Sequence, residues 1–146
     1  MCSKEKISID LPGLDEQQSF ILEQETQQAI DMLKNNLLAE RYPKSRMVDY
    51  ESIDPRVYLS QERGWQPPPP ELIDAWFTQV KSLFTDYSSD EKLGNLLGIH
   101  GKNGGRRIRA YRNGDEVIPY GVWRKFLELT GRVAPDIRPV LGIFDS

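Results

Sequence analysis

The sequence predicts a mainly α-helical protein: a compact bundle of short helices preceded by an N-terminal helical extension. Three observations carry that prediction. Apolar residues recur at helical spacing over residues 71–87, three shorter helical patterns follow within residues 89–131, and glycines or Asn-Gly pairs stand where each pattern stops. Two of the three patterns are below the length at which a helix is stable alone, about 12–15 residues, so they must share one core.

Taken in order, the chain begins with Ile7, Ile9 and Leu11 alternating with polar residues before Pro12-Gly13, a short strand or extended arm that ends in a turn. A long helix is expected over residues 15–42, with Asp15 as its cap, Glu16 in its first turn and Arg41 near its end, where each charge suits the helix dipole. Its apolar residues fall into two clusters, Phe20, Ile21 and Leu22, then Ile30, Leu33, Leu37 and Leu38, with a polar middle. No heptad is sustained over three repeats, so the helix either packs on the rest of the protein or serves in dimerisation.

Over residues 43–70 the periodicity breaks up. Aromatic residues Tyr50, Tyr58 and Trp65 imply that this segment packs onto something, because disordered segments are poor in such side chains. Four prolines, Pro67 to Pro70, favour a stiff extended conformation and read as a boundary. The expected organisation is an N-terminal extension over residues 1–66, a helical domain over residues 67–131 and a tail over residues 132–146.

Within the domain, Leu72, Ile73, Trp76, Phe77, Val80, Leu83 and Phe84 make a broad apolar stripe on a core helix. Leu93, Leu96 and Leu97 line the next helix, which Gly98 ends; Ile108 and Tyr111 mark the inner face of a third, ended by Asn113-Gly114. Pro119 opens the last helix, where its missing amide hydrogen is no loss, and Val122, Trp123, Phe126, Leu127 and Leu129 supply its buried face. Pro135 and Pro139 keep the tail extended, and Val140, Leu141, Ile143 and Phe144 are expected to cover the core or to pair with the arm or a second subunit.

The pattern Leu93-Gly-Asn-Leu-Leu-Gly-Ile99, the Ile108 and Tyr111 pair, Arg112-Asn-Gly, Ile118-Pro and the amphipathic helix ending in Leu-Thr-Gly resembles the lambda-repressor-like (Cro/Xre) helix-turn-helix family. The resemblance spans residues 72–131. It departs from the family between the two central helices, where a longer Gly-rich run, residues 100–105, replaces the tight turn. The resemblance implies that the helix around Leu93 supports a recognition helix over residues 105–113, which enters the major groove of double-stranded DNA. Arg106, Arg107 and Arg109 would then lie near base edges, Lys102, Asn103 and Arg112 would contact phosphates, and Arg124 and Lys125 would make outer backbone contacts.

Charge supports this independently. The whole chain is mildly acidic, with 19 basic and 22 acidic side chains, but residues 98–146 hold nine basic and five acidic ones. Nucleic-acid binding needs a basic surface more than a basic molecule, because only phosphates met at that surface release their counterions. Arginine offers a planar fork suited to the two acceptors of a guanine edge or to a phosphate. Gly104 and Gly105 let backbone amides approach a phosphate.

Other chemistries find no footing. The single histidine, His100, lies in a Gly-rich loop and has no evident partners for a nucleophilic triad. With one cysteine, Cys2, it falls short of the ligands that common zinc sites need. Residues 101–106 lack the ordering of a phosphate-binding loop, and carboxylate pairs such as Asp90-Glu91 and Asp115-Glu116 sit where helices start or turns form. No enzymatic activity, metal or cofactor is expected. No apolar run reaches the roughly 20 residues needed to cross a bilayer, and the N-terminus lacks a secretory signal, so a cytoplasmic protein is expected.

The expected function is that of a sequence-specific transcriptional regulator acting as a homodimer, since a two-fold dimer doubles a short site at about 34 Å spacing. The competing class is a protein-interaction module, antitoxin-like or antirepressor-like, that keeps the helix-turn-helix as a scaffold and binds a protein partner through its acidic N-terminal half.

Overall fold

A computed structural model describes residues 13–145; the expected arm at Ile7, Ile9 and Leu11, and Cys2, lie outside the described residues. Among these residues there are five α-helices and no strand: α1 (Leu14–Asn36), α2 (Pro70–Leu83), α3 (Asp90–Leu96), α4 (Lys102–Asn113) and α5 (Tyr120–Leu129), with short 3-10 turns at Tyr50–Ser52, Pro55–Tyr58, Gln61–Arg63 and Thr85–Tyr87. None of the helices is long and apolar enough to cross a membrane. The chain divides into two units, Tyr42–Asp136 and, of the described residues, 13–41 with 137–145.

The larger unit is built around two stacked tryptophans. Trp76 of α2 and Trp123 of α5 are fully buried, with ring centroids 5.6 Å apart and planes within 5° of parallel. Phe77 and Phe126 meet edge-to-face beside them at 4.7 Å, a geometry that aromatic quadrupoles favour. Leu93 and Leu97 bring α3 onto this core, Ile108 and Tyr111 bring α4, and Ile118 closes it between α4 and α5. Short helices thus obtain from one another the burial that none could supply alone.

The segment before the prolines is part of this unit, which runs from Tyr42 to Asp136. Val57 is buried, and Val48, Tyr50, Ile53, Tyr58 and Trp65 pack against the core. Its backbone also serves the core: the Val57 carbonyl accepts a 3.0 Å hydrogen bond from the Trp123 indole, which satisfies a polar group at the centre of the unit. The Arg132 guanidinium also lies over the Trp76 ring, 3.8 Å from its centroid. Burial pulls Arg132 below the usual arginine range, an effect partly offset by Tyr50 and Tyr58. The prolines lead into α2, with Pro68 buried and Pro70 as its first residue.

Several expected boundaries move. The first helix stops at Asn36, is preceded by Gly13 as its cap, and uses Asp15 only as a first-turn charge. The stripe of α2 ends at Val80: Leu83 and Phe84 are 44% and 37% exposed because the helix stops at Leu83 and the chain turns into Thr85–Tyr87. Ser89, not an acidic residue, caps α3, accepting from the Lys92 amide. Leu129 turns outward at the end of α5. In the tail, Val140, Leu141, Ile143 and Phe144 are all exposed.

Candidate functional site

The basic helix α4 begins three residues before the expected start, at Lys102, because Lys102, Asn103, Gly104 and Gly105 form its first turn. The connection from α3 is therefore residues 97–101, and the Gly-rich run is helix, not a lengthened turn. Gly101 precedes α4 with φ +84°, a conformation that glycine adopts without strain. Gly104 is required for another reason. A Cβ there would stand 2.5 Å from the Ile99 carbonyl oxygen, and one on Gly94 would meet the Gly104 backbone at 3.1 Å. Glycine at both places lets α3 and α4 touch backbone to backbone.

This close seating fixes which side of α4 faces out. Gly104, Gly105, Ile108 and Tyr111 are buried. Lys102, Asn103, Arg106, Arg107 and Arg109 are exposed, spread over two turns of helix that contain no acidic residue. Lys102, Arg106 and Arg107 make no ion pair among the described residues, while Arg109 comes no closer than 3.9 Å to Asp90. Lys125 of α5 is also exposed, and its ammonium reaches the α3–α4 connection, 3.7 Å from where a Cβ on Gly98 would be. Six of the eight sequence-predicted site residues are thus exposed, and Lys125 joins the α3–α4 pair from another helix. His100 is exposed in the same connection.

The other two expected contacts, Arg112 and Arg124, are turned to internal tasks. The Arg112 guanidinium donates to Asp74 of α2 at 2.7 Å and to Asp90 of α3 at 2.8 Å, and Asp90 also holds Lys81 of α2 at 2.9 Å. Burial disfavours the Arg112 charge, but the hydrogen bonds and negative charges of Asp74 and Asp90 outweigh it and hold the group above the usual arginine range. The result is a clamp between the end of α4 and the two helices beneath. Arg124 donates to the Tyr58 and Ala134 carbonyls at 3.1 and 3.2 Å and pairs with Asp136 at 2.9 Å. It ties the loop before α2 and the chain after α5 to α5.

Asp74, Asp90 and Lys81 are the residues that sequence reasoning missed. The available signal was Asp90 in the first turn of a short helix and Arg112 in the last turn of the next, but pairing them requires the α3–α4 geometry. Arg112→Ala is accordingly expected to act on stability, lowering the free energy of unfolding by about 1.5–3 kcal/mol, as for loss of hydrogen bonds to charged groups in a partly exposed setting. Urea unfolding followed by tryptophan fluorescence measures it; a loss below about 0.5 kcal/mol would show that the clamp contributes little.

The arrangement offers positive charge and forked donors on a rigid convex surface. Among the described residues no three His, Cys, Asp or Glu side chains gather to hold a metal ion. No protein-family model, no curated protein and no solved structure matches this chain.

Proposed function

We propose that the protein is a sequence-specific DNA-binding regulator in which α3 and α4 form a lambda-repressor-like helix-turn-helix and α4 enters the major groove. The observation that carries the reading is the exposed basic face of α4: Lys102, Arg106, Arg107 and Arg109 point outward from a helix whose opposite face is locked by Gly104, Ile108 and Tyr111. A major groove about 12 Å wide admits such a helix, and arginine reads guanine through paired hydrogen bonds. Arg106, Arg107 and Arg109 are assigned to base edges. Lys102, Asn103 and Lys125 are assigned to phosphates, Lys125 by its place beside the α3–α4 connection. Arg112 and Arg124 leave the set of DNA contacts, and their role becomes holding α4 and α5 in place.

Salt dependence tests the electrostatic part of this reading. The logarithm of the binding constant is expected to fall linearly with the logarithm of salt concentration, by about 0.9 for each phosphate neutralised, and Lys102→Ala is expected to reduce that slope by about one. A slope near zero would remove the proposal. The protein-interaction reading draws on one specific observation, the acidic α1 in which no residue is buried, and it expects binding that varies little with salt.

A further inference from the structure

The helix α1 is 23 residues long and none of its residues is buried. Helices in proteins draw most of their stability from packing one face, and α1 has such a face available. Leu22, Thr26, Ala29, Ile30 and Leu33, with Leu37 as the αR cap just past the last turn, lie along one side of the helix, each step three or four residues except that between the adjacent Ala29 and Ile30. Leu22, Ile30 and Leu37 are 47%, 40% and 80% exposed. The polar member of the stripe is already satisfied, because the Thr26 hydroxyl donates to the Leu22 carbonyl at 2.7 Å. It can therefore enter an apolar interface without leaving a buried donor unpaired.

We infer that this stripe pairs antiparallel with the α1 stripe of a second copy of the chain. Two features select that occupant. First, the stripe is self-complementary about a two-fold axis between Ala29 and Ile30, as an isologous interface requires. Leu22 then faces Leu37 of the second copy, Thr26 faces its Leu33 and Ala29 its Ile30, so that bulky residues meet smaller ones near the centre.

Second, the charges fix the direction. The helix carries Asp15, Glu16, Glu23, Glu25 and Asp31 against Lys34 alone, with four of the acids in its first half. Parallel pairing aligns the two acidic halves and brings Glu23 of one helix near Glu25 of the other. Antiparallel pairing separates those halves and brings Glu23 within about 3 Å along the axis of Lys34 on the same flank of the second copy. The inference concerns α1 alone and holds whether or not α4 binds DNA.

Sedimentation across a concentration series tests it without DNA. The full chain is expected to pass from monomer to dimer, and Leu33→Lys to shift that transition at least tenfold upward in concentration. Glu23→Lys is expected to weaken the dimer about two- to fivefold, with recovery in the Glu23→Lys, Lys34→Glu double variant. Direction is read by cross-linking in a Cys2→Ser background with a short bismaleimide. Ala29→Cys sits beside itself across the axis and should link, while Leu22→Cys is about 22 Å from its counterpart along the axis and should not. A chain that stays monomeric at every concentration, a dimer indifferent to Leu33→Lys, or efficient linking through Leu22→Cys would each overturn the inference. Circular dichroism confirms folding of each variant, since no core residue lies in α1.

Discussion

Trp123→Ala is expected to remove about 3–5 kcal/mol from the free energy of unfolding, the range for large aromatic truncations in a core. For a protein whose total stability lies in the usual 5–15 kcal/mol, that approaches the whole. The size follows from what the side chain does in three directions. It is fully buried, it stacks on Trp76 and lies 5.6 Å from Phe126, and its indole nitrogen holds the Val57 carbonyl. The loss therefore combines a cavity, a broken aromatic stack and an unpaired carbonyl. Trp123→Phe separates these: it keeps much of the apolar contact but leaves the Val57 oxygen without its donor, at a cost of about 1–3 kcal/mol. Chemical unfolding of both variants checks the account. Near-equal losses would mean that the hydrogen bond to the 3-10 turn, not the stack, holds the unit together.

Removing Arg106, Arg107 and Arg109 together is expected to have the largest effect of all, and on a different quantity. Each arginine seated on a base pair contributes about 1–3 kcal/mol of discrimination. The triple alanine variant should therefore lose sequence preference altogether and bind duplex at least about a thousandfold more weakly at moderate salt. Its unfolding should stay within about 0.5 kcal/mol of wild type, because all three side chains are exposed. This is the reverse of the pattern expected for Arg112→Ala. Arg63→Ala removes one positive charge from an exposed position outside α4 and serves as a control, with little change in either measurement. Equal DNA affinity in the triple variant and in Arg63→Ala would remove α4 from the interface.

What could be read in the sequence, and what could not, divides along local and long-range physics. The existence of all five helices was legible, from apolar residues at three- and four-residue spacing in α2 to α5 and, in α1, from two apolar clusters between an acidic start and a basic end. Three of their ends were legible too, because Gly98, Asn113-Gly114 and Gly131 occupy positions just past a helix. The start of α4 was not. Two adjacent glycines read as a loop, and only the close approach of the Gly94 and Gly104 backbones shows that glycine stands there to let two helices touch. The same limit explains Arg112 and Arg124. By residue type and spacing they match Arg106 and Arg107, and only the placement of Asp74, Asp90 and Asp136, distant in sequence, commits them to the fold. Residues 43–66 carried enough aromatic side chains to imply packing, but not the surface they pack against. The outward face of Leu83 and Phe84 depended on where α2 stops.

In the proposed function α4 reads DNA sequence. Selection of duplexes from a random pool, followed by fluorescence anisotropy of the best duplex against a shuffled version of it, tests that claim most directly. The selected duplex is expected to bind at least about a thousandfold tighter than the shuffled one at moderate salt, and Arg107→Ala to lower this preference by about 1–3 kcal/mol at one base pair. Equal and weak binding of both duplexes, unchanged by Arg107→Ala, would contradict the proposed function.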